Sequence, residues 1–330
     1  MKRSYRRSAA LFSALALVAF ASAAPLQKNP PVPPADAATP LLVWDIAPDL
    51  RASLPRNFRT TSDPLKVKDG VKPDVTGLAE LRASGSAEFN DANLRPMLAK
   101  LQGPVTVFDL RQEDHAFVNG EAVSWYATNN WANVGKSNEA IVAAENARVT
   151  SCNIGATIDV SDDKGIKGGG AATPAEHMKV ARVQTERELV TAAGAAYVRV
   201  TVTDHARPLD DEVDRFIVAV RALPADSWAH FHCRAGRGRT TTFLALYDML
   251  RNAPRVALDD IVNRQSLLAG DYNLLASEPP SGDEAWKAGV GADRAAFVRA
   301  FYDYAKANPN GRPQLWSEWF KAQPVAAMIP

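Results

Sequence analysis

The chain has 330 residues, 46% of them hydrophobic and 23% charged, which is ordinary globular material for one large domain or two medium ones. Its formal charge of +1 is carried by the first residues: Lys2, Arg3, Arg6 and Arg7 precede an apolar run from Ala9 to Phe20 broken only by Ser13, and Ala21-Ser22-Ala23 follow. This is the pattern of a secretory signal over 1–23; the run is short for a span of about 20 residues, and no Cys follows it to carry a lipid. Its removal leaves 34 Lys and Arg against 37 Asp and Glu, a charge of −3. No global basic field then draws polyanions such as nucleic acid, so any attraction to phosphate must be local. The expected location is exported, periplasmic or secreted, without stable membrane association.

Residues 24–45 hold Pro25, Pro30, Pro31, Pro33, Pro34 and Pro40 and read as an extended linker. One domain is expected over 46–325, with no internal repeat. In chain order, Pro104 to Phe108 is a short β-branched strand ending at Asp109. Arg148 to Val160 has strand character, Ser161 to Thr173 is a glycine-rich loop, and His177 to Val183 reads as another strand. Thr185 with Glu188 forms a capping box that opens a helix closed by Gly194. Ala196 to Thr203 is a strand leading to Asp204, and Asp210 or Asp211 caps a helix to about Leu223. Trp228 to His232 is a strand entering a glycine loop, and Thr240 to Leu250 is helical. Helices are also expected over Leu258–Leu268, Arg294–Lys306 and Leu315–Ala322. Strands alternating with helices predict an α/β layer with a largely parallel sheet flanked by helices. In such sheets ligands bind beyond the carboxyl ends of strands, where Asp109, Asp204 and Cys233 would meet.

The loop runs His232-Cys233-Arg234-Ala235-Gly236-Arg237-Gly238-Arg239-Thr240. A thiol attacks phosphorus as thiolate, so its surroundings must favour negative charge. A strand-to-helix loop with Gly236 and Gly238 can turn its N–H groups inward, and the following helix adds its positive end. Arg239 can grip two phosphate oxygens through its planar fork. Thr240 can hydrogen-bond the sulfur, and His232 orders the loop. The competing readings are a buried Cys beside an anion-friendly helix, or a metal site of His230, His232 and Cys233. For the latter no further ligand pattern appears, so no metal and no cofactor are expected. An exported chain with two cysteines admits a Cys152–Cys233 disulfide, whereas the chemistry of Cys233 requires a free thiol.

The loop resembles the HCxxGxxR(T/S) motif of the protein-tyrosine-phosphatase superfamily. The chain is more narrowly similar to the bacterial protein-tyrosine-phosphatase-like phytases, cysteine-dependent inositol polyphosphatases. The segments that carry this likeness are Leu54 to Thr60, Ser84 to Ala87, Phe108 to Glu113, Asn119-Gly120 with Val123 to Tyr126, Trp131 to Asn133 with Gly135 to Ser137, and Thr203-Asp204-His205 with Pro208. The resemblance implies a phosphatase core with a small β-rich part near the N-terminal side. It implies Cys233 as nucleophile, Asp204 as general acid, and Arg239, Thr240 and His232 as catalytic partners. Arg234, Ala235, Gly236, Arg237 and Gly238 become the phosphate cradle, and Arg59, His205, Lys136 and Asp109 become substrate-side residues. A carboxylate at Asp109 would orient Arg239, raise the pKa of Asp204, or form a structural salt bridge. Gln265 would position water or face solvent on its helix.

The sequence departs from the family at Arg234 and Arg237, where an acid and an apolar residue are common. Their side chains should radiate outward to enrich the rim for polyphosphates, or pair with Asp109, Glu113 or Asp114. Asn130 stands where an acid is expected. The expected activity is removal of phosphates from a small polyphosphorylated substrate such as phytate. The alternatives are a phosphotyrosine phosphatase, for which the Lys-Asn-Arg-Tyr slot is absent, and a non-catalytic phosphate-binding protein, which would need neither nucleophile nor acid.

Overall fold

A computed structural model describes residues 41–46, 54–67, 70, 72–162, 176–275 and 286–323. The expected signal over 1–23 lies outside them, as does most of the expected linker and of the glycine-rich loop.

The central sheet has five strands in the order β10 (Ala196–Arg199), β4 (Val105–Asp109), β11 (Trp228–His232), β3 (Ala83–Ser86), β2 (Arg59–Thr60). The first four are parallel and β2 is antiparallel to β3. Side chains alternate across such strands, and here the alternation decides the chemistry. Phe108, Ala229 and Phe231 face one core, with α4 (Asp210–Arg221), α5 (Gly238–Asn252) and α7 (Trp286–Ala307) packed over them. Val105, Val107 and, by the same alternation, Asp109 face the other core, covered by α1 (Asp91–Leu101) and α3 (Glu186–Ala192). Local signals are satisfied at the caps. The Asn90 and Asn93 side chains each accept the other's backbone N–H at the start of α1, and the Thr185–Glu188 box opens α3 as expected. In α4, Val213, Phe216, Ile217 and Val220 recur at helical spacing and are all buried.

A second, antiparallel sheet takes the order β1 (Leu41–Trp44), β6 (Glu121–Tyr126), β5 (His115–Val118), β9 (Val183–Gln184). Asn119-Gly120, both at positive φ, form the tight turn between β5 and β6. This sheet corrects the linker boundary: Leu41–Trp44 pairs with β6, so the folded part begins by residue 41. The run from Arg148 to Val160 is also corrected. Arg148 lies in the last turn of α2 (Asn138–Ser151), paired with Asp114, and only β7 (Thr157–Val160) is strand, paired with β8 (Glu176–Lys179). Remaining helices are α6 (Leu258–Leu268) and α8 (Trp316–Lys321). Among the described residues no helix is long and apolar enough to cross a membrane.

Candidate active site

Strand β11 delivers Cys233, and the chain turns through Gly236 into α5. Gly236 has φ 69°, and a Cβ there would lie 2.2 Å from the Ala87 amide nitrogen. Glycine is therefore required both by conformation and by the close approach of the β3 end. Two residues of the Leu54–Thr60 segment pin the loop from outside: Asn57 Nδ2 donates to the Ala235 carbonyl (2.8 Å), and Arg59 donates to the Gly236 carbonyl (2.9 Å) and to Thr241 Oγ1 (3.0 Å). Arg59 is thus corrected from a substrate contact to a buried support of the loop; burial lowers its guanidinium to about 10, still cationic at neutral pH. Thr240 Oγ1 donates to Cys233 Sγ at 3.2 Å, and the loop carrying the sulfur leads into the N-terminal end of α5. Both cysteines are free thiols.

Arg239 is buried and oriented by Glu113, whose two carboxylate oxygens accept from Nη1 (2.6 Å) and Nη2 (2.9 Å). The orienting role considered for Asp109 belongs to Glu113. Asp109 lies on the other face of β4, where it accepts from Tyr197 Oη (2.8 Å) and meets Arg199 (3.2 Å) and His115 (3.3 Å). It does not line the cavity. Lys136 is exposed, bonded to Asn133 Oδ1, and likewise off the cavity. Gln265 is buried rather than solvated and donates to Asp248.

Beneath the loop lies a web of buried charge. Arg111, fully buried, pairs with Asp45 (2.8 Å), Glu88 (2.6 Å) and Glu113 (3.0 Å). Arg234 turns into this web, donating to Asp45 and the Trp44 carbonyl; the cation it brings to the cavity wall is paired, and Asp45 is none of the three acids considered. The reason is packing: Asp45, the residue after β1, stands beside the loop within reach of Arg234. Glu186 accepts from His232 Nε2 (2.7 Å) and pairs with His115 Nε2 (2.8 Å). Burial opposes charge on His232, but Glu186 and Glu88 outweigh it and raise its pKa to about 9. Glu88, Glu186 and His232, and Asp109, His115 and Glu186, each stand close enough to share a cation, but Glu88 already pairs with Arg111, Asp109 with Arg199, and Glu186 with the two histidines.

Above the loop opens a cavity of about 920 Å³ lined by Cys233, Arg234, Ala235, Arg237, Gly238 and Arg239. Asp204 and His205 form another wall. Asp204 is not at a strand terminus as expected; it lies five residues beyond β10 and is held by Asn130 Nδ2 (2.7 Å), Trp131 Nε1 to its carbonyl (3.1 Å) and the His205 amide (3.0 Å). That gives the Asn130 segment its role. Asp204 Oδ1 is 3.1 Å from Arg239 Nη2. Burial opposes its ionisation, yet Arg239 and His205 hold its carboxyl well below the usual range. His205, at φ 68°, stacks edge-on to Trp286 and is pushed below its ordinary value by burial.

Lys287 and Arg294, on α7, and Arg56 bring further cations to the cavity, with Tyr272 beside them. The sequence reading missed Lys287 because Gly289 and Gly291 break the helical pattern ahead of residue 294. The available signal was the seven-residue spacing, which puts both cations on one helical face.

The arrangement can be set beside known proteins. A family model for PTP-like phytases, described by the words inositol hexakisphosphate, matches residues 108–251. A PTP-like phytase from Bdellovibrio bacteriovorus superposes with a TM-score of 0.71 at 39% identity, covering 90% of this chain and 99% of that one. The chain belongs to the PTP-like phytase family. A second member, the PTP-like myo-inositol phosphatase of Mitsuokella multacida, solved with myo-inositol-(1,3,4,5)-tetrakisphosphate, is 36% identical with a TM-score of 0.78. The match covers 87% of this chain and 50% of that one. The effector protein hopD2 of Pseudomonas syringae pv. tomato is 36% identical over 79% of this chain, which spans 56% of that relative's length.

Proposed function

We propose that this protein is a phosphatase of inositol polyphosphates acting through a phosphocysteine on Cys233. The observation that carries the reading is a single cavity in which Cys233, Arg239 and Asp204 share walls with Arg56, Arg234, Arg237, Lys287 and Arg294, six cations against the four acids Asp45, Glu88, Asp162 and Asp204. A nucleophile and an acid set in a wide cationic bowl suit a small substrate with several phosphates better than one aromatic ester. The phosphoryl group sits on the loop amides and the Arg239 fork. Cys233 Sγ attacks phosphorus, the P–O ester bond breaks, and the departing oxygen takes the proton of Asp204. A water then attacks phosphorus, gives its proton to the Asp204 carboxylate, and the S–P bond breaks with the Thr240 hydroxyl on the leaving thiolate. The substrate supplies the condition for the acid: a phosphate dianion on Arg239 takes that guanidinium from Asp204 and adds a negative charge nearby, both of which favour the protonated carboxyl.

Phosphate release from inositol hexakisphosphate, compared with a phosphotyrosine peptide, tests the reading. The inositol substrate should be preferred without added metal, and Cys233→Ser should abolish release. A Cys233→Ser protein as active as the parent overturns the mechanism; cleavage of the peptide alone overturns the substrate. The competing substrate is a phosphotyrosine protein, and the same assay decides. Export is part of the proposal: the mature protein should begin at or near Ala24 on N-terminal sequencing, and a chain starting at Met1 overturns it.

A further inference from the structure

At the end of the central sheet opposite Cys233, a second cavity of about 510 Å³ lies beside the start of β3 and β11 and the C-terminal ends of α4 and α5. Arg82, Arg221, Arg251, Arg255 and Arg312 line it, against one acid, Glu80. All but the half-buried Arg221 are exposed, and clustered cations repel one another unless carboxylates answer them; for most of these none does. Arg221 donates to the carbonyls of Gly311 and Gln314. Arg251 donates to Asn310 Oδ1 (2.6 Å) and lies over the Tyr247 ring (5.3 Å). Arg255 grips Asn252 Oδ1 through Nε (3.3 Å) and Nη2 (2.8 Å). Only Arg82 meets an acid, Asp226 at 3.4 Å, and that pair is open to solvent and weak. Among the described residues no ion pair serves the other four.

Neutral acceptors fix the guanidinium groups of Arg221, Arg251 and Arg255 without reducing their charge, so three of the five cations are held in place around the cavity. Helix ends explain two of the five: Arg221 and Arg251 stand in the last turns of α4 and α5, where a cation offsets the negative pole. Arg82, Arg255 and Arg312 lie outside the α-helices, on three separate connections that converge on the same space. The wall is also closely built. A Cβ at Gly77, which has φ 72°, would lie 2.2 Å from Asn252 Oδ1 and 2.7 Å from Arg255 Nη2.

We propose that this cavity is a second anion site that takes a compact, multiply phosphorylated small molecule. Its size suits a small ligand rather than a single phosphate, and five forks call for several phosphoryl groups. It is separate from the reaction centre, because the 15 residues of α5 that join the two put them about 22 Å apart. The proposal does not depend on the chemistry at Cys233.

The test is calorimetric binding of inositol hexakisphosphate to the Cys233→Ser protein at low ionic strength. Two sites are expected, and the Arg251→Gln/Arg255→Gln pair should remove one while sparing the other. Arg312→Gln, an exposed single change, should weaken that same site by about tenfold; it keeps the test open should the double variant fold poorly. If the reaction-centre cavity does not take this ligand, one site remains, which the double variant still abolishes and Arg312→Gln still weakens. A single site whose affinity is unchanged in Arg312→Gln and in a folded double variant overturns the proposal.

Discussion

Binding of a tetrahedral dianion should be coupled to uptake of a proton by Asp204. In the substrate-free protein the Asp204 carboxylate is 3.1 Å from Arg239 Nη2 and accepts from Asn130 and the His205 amide, so it is held ionised. A dianion on the same guanidinium brings negative charge to within roughly 4 Å of the carboxylate. At an effective dielectric of about 20 a unit pair at that distance is worth about 4 kcal/mol, or about three decades in proton affinity. Sulfate is the probe, since it does not titrate in the working range, and Cys233→Ser removes the thiol as a second titrating group. Calorimetry in buffers of different ionisation enthalpy should read proton uptake that is negligible near pH 8 and grows as the pH falls toward about 4.5. Sulfate affinity should rise over the same interval. The Cys233→Ser/Asp204→Asn protein should bind sulfate without this component; what remains is the share of His205, which also faces the cavity. Equal uptake in the two proteins would refute the coupling and with it the assignment of Asp204 as the acid.

Gly236→Ala should abolish turnover and lower the melting temperature, because its Cβ would collide with the Ala87 amide at 2.2 Å and the residue sits at φ 69°. Asp45→Ala should cost on the order of 3–5 kcal/mol in denaturant unfolding, since it leaves Arg111 and Arg234 facing each other without their shared acid; a loss under about 1 kcal/mol would show that Asp45 is dispensable. For His232, the folded pKa of about 9 lies above the ordinary value of 6.5, so its contribution is fully present below about pH 6.5 and is lost as the pH rises through about 9. Stability measured by denaturant midpoint should fall over that window by about 3 kcal/mol at most, and Glu186→Gln should flatten the fall.

Legibility in the sequence followed how far a residue's role depends on its neighbours in the chain. The Cys233 loop was readable because strand, glycine turn, arginine and helix are consecutive, and local geometry makes them act together. Asp204 was readable as a reactive acid, though not its distance beyond β10, because Val200 to Thr203 continue a β-branched run after the pairing stops. Glu113, Glu186 and Asp45 were not readable. Each acts through another side chain far away in sequence, and a single buried carboxylate carries no pattern. Arg59 was misread for the same reason: an arginine next to Asn57 looks exposed until β2 pairs with β3 and places it under Gly236. Asp109 was misplaced by one step of strand alternation, which puts its carboxylate on the His115 side of the sheet rather than in the cavity.

The position of Arg234 shows why the small antiparallel sheet belongs to the site. An unpaired guanidinium beneath the loop would be costly to bury, and would compete with Arg239 for the incoming phosphate. Asp45 removes both problems, and it can do so because β1 pairs with β6 and ends beside the loop. Arg111 then ties Asp45 to Glu113, which orients Arg239. The order of Arg239 therefore rests on a chain of buried pairs that begins at Asp45, just past the first strand. Loosening β1 should raise the KM for phosphate esters before it exposes the main core, because the core behind α4, α5 and α7 makes no use of that strand.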